Sequence, residues 1–269
     1  MNSRLAYPLA VALALVTAQA GAATTTFSFV TDTWTNDAST QTGFLDGATS
    51  GTLTKDGVTL TFQSSFVGSA DPGTRNLTFV PHLNPRGFNM ATENDGNDLA
   101  GALQHFQRWD FSFSQPVLLK NLAIDDIDAD REDLTIGDGF RDAIAAEAFE
   151  GESFGPLGTG MDADFSQDLG ASLGLGIISA GNGQTLNYVI SGPAGNPNNA
   201  PDYRAYVSFG DTPIQSFSIY AFSDRDNVHR VSLFQSLLQV EAVSVVPEPS
   251  SALLAVAALP LLMRRKREA

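Results

Sequence analysis

Apolar and polar positions along this chain mostly alternate with a period of two, the signature of half-buried strands. In "RWDFSFS", Trp109, Phe111 and Phe113 fall on one face and Asp110, Ser112 and Ser114 on the other. In "GTLTKDGVTLTF", Leu53, Val58, Leu60 and Phe62 alternate about Lys55-Asp56-Gly57, which predicts a hairpin closed by an Asp-Gly turn. Further strand-like runs are "PVLLKNLAIDD", "LNYVIS", "YRAYVSFGDTPIQSFSIYAFS" and "HRVSLFQSLLQVEAVSV". Between them stand clusters such as "GSADPGTRN", "ENDGND", "GPLGTG" and "SGPAGNPNNAPD", whose Gly, Pro, Asn and Asp residues mark turns. Only "RDAIAAEAFEG" reads equally as a helix or an edge strand.

Many short strands with regular turn signals predict an all-β chain, a two-sheet β-sandwich of jelly-roll type. "FSFSQPVLLKNLAIDDIDAD" and "VSFGDTPIQSFSIYAFSDRD" loosely resemble each other. Each has an aromatic strand, a step with proline (Pro116, Pro213), an apolar strand and an Asp-x-Asp loop. The prolines are expected to break the strand where it bends or crosses between sheets.

The ends depart from this grammar. "LAYPLAVALALVTAQAGAA" follows Arg4 and closes in small residues, the order of a secretory signal peptide; residues 1–23 are assigned to it, with signal peptidase cutting between Ala20 and Thr24. Residues 24–245 then form the body, and 246–269 a C-terminal segment. In that segment Ser250 to Met263 is uncharged and largely apolar, about 21 Å long as a helix. This is short for a bilayer core but is extended by the snorkelling stems of Arg264, Arg265, Lys266 and Arg267. Those cations are expected to stay cytoplasmic and leave the body across the membrane.

Pro247 and Pro249 bracket Glu248 just ahead of the apolar run and keep the backbone extended there. "VPEPSSALLAVAALPLLMRRKR" resembles a PEP-CTERM sorting signal, the Pro-Glu-Pro, apolar helix and Arg-rich tail that exosortases read in Gram-negative bacteria making exopolysaccharide. The resemblance covers only these last two dozen residues. It implies export across the inner membrane, transient anchoring, exosortase processing near Pro247 to Pro249, and delivery to the cell surface or extracellular matrix. Glu248 would then be a recognition residue. The other reading is a permanent single-span anchor that no enzyme cuts.

Charge narrows the partners. The chain carries 15 basic and 30 acidic residues. Setting aside five basic and two acidic residues in the ends leaves the body with 10 against 28, a net of −18. Such a surface repels nucleic acid and favours divalent cations. There is no cysteine, and His82, His105 and His229 lack the spacing of a zinc motif.

The densest acidic stretch is "IDDIDADRED", with Asp125, Asp126, Asp128, Asp130, Glu132 and Asp133. Asp126, Asp128 and Asp130 have the 1, 3, 5 spacing of a calcium loop, but Arg131 and Gly137 stand where an EF-hand needs its glycine and its bidentate glutamate. Two readings follow: a loop-borne Ca²⁺ site of Asp126, Asp128, Asp130, Asp133 and Asp138, or an acidic solvated loop. Asp224 with Asp226, and Asp95 with Asp98, are weaker sets of the same kind.

No catalytic residue is assigned. "GASLG" places Ser172 in a nucleophile-elbow pattern without the strand and helix that pattern requires. Trp34, Tyr188, Tyr203, Tyr206 and Tyr220 are candidates for sugar stacking, Tyr203 being the one expected to be most exposed, although core packing explains the alternating ones. The function expected is a non-catalytic exported surface or matrix protein, calcium-stabilised and associated with exopolysaccharide. The alternative is a secreted glycan-active hydrolase on the same scaffold.

Overall fold

A computed structural model describes residues 23–29, 31–36, 48–67, 89–92, 106–129, 141–167, 173–179, 183–191, 203–223, 229–233, 235 and 237–243. These residues are built almost wholly of strands, in two antiparallel sheets. The strands are β1 (Thr24–Ser28), β2 (Thr35–Asn36), β3 (Ser50–Lys55), β4 (Val58–Val67), β5 (Asn89–Thr92), β6 (Phe106–Asn121), β7 (Ala123–Asp125) and β8 (Asp142–Phe149). They continue as β9 (Met161–Asp162), β10 (Asp164–Gln167), β11 (Leu173–Ser179), β12 (Thr185–Ser191), β13 (Ala205–Ser208), β14 (Ile214–Ser223), β15 (His229–Leu233) and β16 (Leu237–Ala242).

The larger sheet runs β11-β12-β8-β14-β6-β4-β3-β2, with β9 beside β8, β16 beside β6 and β1 beside β16. The smaller runs β10-β13-β7-β15-β5. The hairpin expected at Lys55-Asp56-Gly57 is present: Lys55 pairs with Val58, and Asp56 and Gly57 have φ of 51° and 79°. Positive φ at both central residues gives the turn the twist that a two-residue hairpin requires.

β6 organises the larger sheet. Its first half pairs β4 on one side and β14 on the other, and its second half pairs β16. Trp109, Phe111 and Phe113 are buried as the alternation predicted. Phe111 stacks on Phe217 of β14 with ring centroids 4.7 Å apart and meets Phe29 edge-on at 6.2 Å. Val58, Leu60 and Phe62 join them, and Ile124, Ala205, Val207, Val231 and Leu233 of the smaller sheet enter the same hydrophobic core.

Pro116 does not break its strand. β6 runs through it, with a register shift opposite Ile214 and Ser216. The ladder with β4 stops at Phe113, the register against β14 slips beside the proline, and Pro116 takes part in the pairing beyond β16 through its carbonyl, which accepts the Val243 N–H at 3.0 Å. The passage to the smaller sheet comes later, at Leu122, whose carbonyl accepts the Val207 N–H at 2.9 Å. Pro213 lies in the connection that carries the chain back from β13 to β14. The undecided "RDAIAAEAFEG" contains β8, which is interior, between β12 and β14, and buried along its whole length. An edge strand is thereby excluded there: its alanines let neighbouring layers approach on both faces.

Phe111→Ala opens a cavity among Phe29, Phe62 and Phe217 and is expected to cost about 3–5 kcal/mol. Denaturant unfolding of wild type and variant measures it; a loss below about 1 kcal/mol would mean that this ring is not central to the core.

Candidate functional site

The acidic stretch marks the corner where the chain leaves the larger sheet. After Leu122, β7 joins the smaller sheet, and Asp126 follows with φ of 67°, a left-handed conformation that aspartate tolerates better than most residues. The Ile127 N–H donates to the Tyr203 carbonyl at 3.1 Å, and the Asp142 N–H to the Asp128 carbonyl at 2.8 Å. Ala129 bridges Arg141. The chain therefore leaves at residue 129 and returns at residue 141 side by side, which bracket the segment holding Asp130, Asp133 and Asp138. Those three lie outside the described residues.

Three carboxylates at this corner are shut away from water: Asp125, Asp128 and Asp142 are 1%, 7% and 0% exposed. Oδ2 of Asp125 pairs with the Arg204 guanidinium at 3.3 Å, while its Oδ1 is buried with no hydrogen-bond partner among the described residues. Burial works against the Arg204 charge, but the Tyr206 hydroxyl and Asp125 more than offset it and hold its pKa above the ordinary value. The Asp142 carboxyl is pushed well above the usual range by burial, then by the charge of Asp126; hydrogen bonding with Asp128 opposes the rise.

The structure thus brings the predicted pair Asp126 and Asp128 together with Asp142, which sequence reasoning missed. Asp142 is distant in sequence, and only the bridge between residues 129 and 141 brings it here; its one signal was a charge opening an apolar run. Among the described residues no three His, Asp or Glu side chains form a ready ligand shell. The donors present are hard oxygens of the type calcium takes, and two of the five predicted ligands are among the described residues.

A separate buried carboxylate lies on the opposite face of the larger sheet from the main core. Glu147 of β8 is fully buried and accepts hydrogen bonds from the Gly158 N–H (3.2 Å), the Gly160 N–H (2.8 Å) and the Tyr220 hydroxyl of β14. Burial raises its pKa; Tyr220, the two glycine amides and Arg108 pull the other way. Burial, and next the Glu147 charge, also raise the Tyr220 hydroxyl.

Beside it Arg108 of β6 pairs with Asp110 (2.6 Å), donates to Ser218 (3.0 Å) and to the Gly155 carbonyl (3.3 Å), and lies within 6 Å of the Phe149, Phe154 and Tyr220 ring centres. The segment between β8 and β9 is thereby fastened over the sheet as a roof. Gly160 must be glycine, because a Cβ there would stand 2.6 Å from the Ala148 carbonyl oxygen. With its oxygens taken up by these donors, Glu147 acts as a clasp.

The stacking candidates divide. Trp34 and Tyr220 are core residues, Tyr188 and Tyr206 are half-buried. Tyr203, expected to be the exposed one, is only 6% exposed and belongs to the main core, because its carbonyl is tied to Ile127 and draws it inward. Ser172, residues 1–22 of the signal segment, Asp95, Asp98, Asp224, Asp226 and the whole sorting tail lie outside the described residues. Among the described residues no helix is long and apolar enough to cross a membrane. No protein-family model, curated protein or solved structure matches the chain.

Raised carboxyl pKa values set the sign of a pH dependence. The native state holds its protons to higher pH than the unfolded chain, so stability is greatest below the unfolded values and falls as pH rises through the native ones. In chelator, the melting temperature is expected to fall from pH 4.5 upward, and Glu147→Gln to flatten that fall. A Glu147→Gln profile parallel to wild type would show that Glu147 ionises without penalty.

Proposed function

We propose that the chain is an exported protein of the cell surface or extracellular matrix, a jelly-roll-like β-sandwich that is sorted through a PEP-CTERM tail and binds calcium at its acidic corner. The observation that carries the reading is the order of parts in 246–269: Pro247-Glu248-Pro249, an uncharged apolar run, then Arg264, Arg265, Lys266 and Arg267. An N-terminal signal segment upstream of a cysteine-free acidic body agrees with it. In this reading signal peptidase removes residues 1–23, the tail holds the protein in the membrane, and an exosortase cuts near Glu248. The body then meets exopolysaccharide outside the cell.

Support for a calcium-stabilised, non-catalytic body comes from where the buried carboxylates of the corner sit. Asp125, Asp128 and Asp142 are gathered by backbone pairing at one corner, with Asp125 Oδ1 left for an electropositive partner. A cation there would lie against Asp126 and Asp128, with Asp130, Asp133 and Asp138 carried on the segment that starts and ends beside them. The hydrolase reading draws less support, since Glu147, the obvious buried acid, is roofed and fully hydrogen-bonded.

Two outcomes test the halves separately. In an exopolysaccharide-producing Gram-negative host, wild type is expected to lose its tail and leave the inner membrane, while Glu248→Ala stays full length and membrane-bound. Equal processing of both would remove the sorting proposal. For calcium, thermal unfolding should show a gain of about 2.7 kcal/mol at roughly a hundredfold excess over Kd. That gain should be absent with magnesium and lost in Asp126→Ala and Asp128→Ala. No shift at millimolar calcium would leave the corner held by Arg204 and hydrogen bonds alone.

A further inference from the structure

The roof over Glu147 is joined to the larger sheet by side chains. No strand residue lies between Phe149 and Met161, and the segment from 150 to 160 is held at three places. At its start the Ser216 hydroxyl donates to the Gly151 carbonyl at 2.8 Å, and Gln215 reaches Glu152 at 3.3 Å on the exposed side. Midway the Arg108 guanidinium donates to the Gly155 carbonyl, and Phe154 meets Phe149 edge-on at 6.2 Å. At its end the Gly158 and Gly160 N–H groups rest on Glu147. Gly151 and Gly158 have φ of 78° and 77°, turns that glycine makes without steric cost. A segment fixed in this way can leave the sheet without breaking a ladder, at lower cost than global unfolding.

Glu147 is the fastening that a proton can change. It is fully buried, with Arg108 and Asp110 of β6 and Tyr220 of β14 beside it. Asp162 of β9 stands opposite it in the ladder, Tyr188 of β12 lies opposite Ala145 on the same face, and Glu150 and Glu152 of the roof are exposed. Arg108 is the cation among these groups. Its Nε pairs with Asp110 at 2.6 Å, it also donates to Ser218 and Gly155, and it makes no hydrogen bond to Glu147 among the described residues. Two covered carboxylates and one guanidinium carry an excess negative charge unless one acid keeps a proton. Asp110 holds the guanidinium, which leaves the proton to Glu147. The rise in the Glu147 pKa by burial, against the pull of its donors, agrees with that count.

We propose that the roof is a pH-sensitive strap, closed over the sheet while Glu147 is protonated and released at its Gly158 and Gly160 end when Glu147 ionises. Opening admits water to a carboxylate that the closed state keeps dry, so ionisation favours the open state. Closure is therefore firmest below pH 4.5, the ordinary value of the acid, and weakens as pH rises through the raised native value. Release uncovers the Phe149 and Tyr220 rings beside Arg108. The strap works apart from the acidic corner, since none of its groups lies between Asp125 and Asp142.

Hydrogen exchange of the full chain, read by mass spectrometry in chelator and corrected for the intrinsic rate at each pH, follows the strap in a peptide spanning 150–160 and the sheet in one spanning 214–223. Between pH 4.5 and about pH 8 the strap is expected to lose protection at least about tenfold more than the sheet. Glu147→Gln, which cannot ionise, is expected to keep the strap protected throughout. Tyr220→Phe removes a donor that favours the charged form and should move the loss to higher pH, which keeps the test open should Glu147→Gln not fold. Equal losses in strap and sheet would overturn the proposal by making the opening global. So would strap protection that rises with pH, a Glu147→Gln slope parallel to wild type, or a loss that Tyr220→Phe leaves at the same pH.

Discussion

The stack of Phe111 on Phe217 joins the two central strands of the larger sheet at the point where both sheets share one core. β6 and β14 each turn an aromatic face inward, and the rings of Phe29, Phe62 and Trp109 close around that stack. Aromatic rings bury large areas in defined geometries, so a cluster of this kind fixes the separation and register of the strands that carry it. With no disulfide available, that core has to supply most of what holds the body together.

A second layer of constraint follows from the first. Once the odd-numbered positions of β6 and β14 fill the core, the even-numbered ones must face the other way, and there the chain carries Arg108, Asp110, Ser218 and Tyr220. Those polar groups are still covered, by the roof between β8 and β9, and each therefore needs a partner. Glu147 and Arg108 supply them, with the backbone of Gly155, Gly158 and Gly160. Glu147 and Arg108 thereby hold this loop in place over the sheet.

The acidic corner and the uncharged edge show opposite uses of charge. At the corner, backbone pairing forces carboxylates together, and Arg204, hydrogen bonds and the proposed cation offset their repulsion. At β11 the chain omits charge over a long stretch and exposes two aliphatic side chains, Leu175 and Ile177.

By itself the sequence determined the strands with clean alternation, the Asp56-Gly57 hairpin and the inward face of β6, because side-chain period and turn chemistry are local. It also contains the order of Pro247-Glu248-Pro249, apolar run and Arg-rich end on which the sorting proposal rests, because that order is linear. Only the tertiary structure decided that β8 is a central strand, since an alanine-rich run suits a helix or a strand until its neighbours are known. It likewise decided that Pro116 sits at a slip in the ladder, that Tyr203 turns inward, and that Asp142 joins Asp126 and Asp128. Each of these depends on which residues distant in the chain become neighbours, and pairing between sheets is a property of the whole packed core.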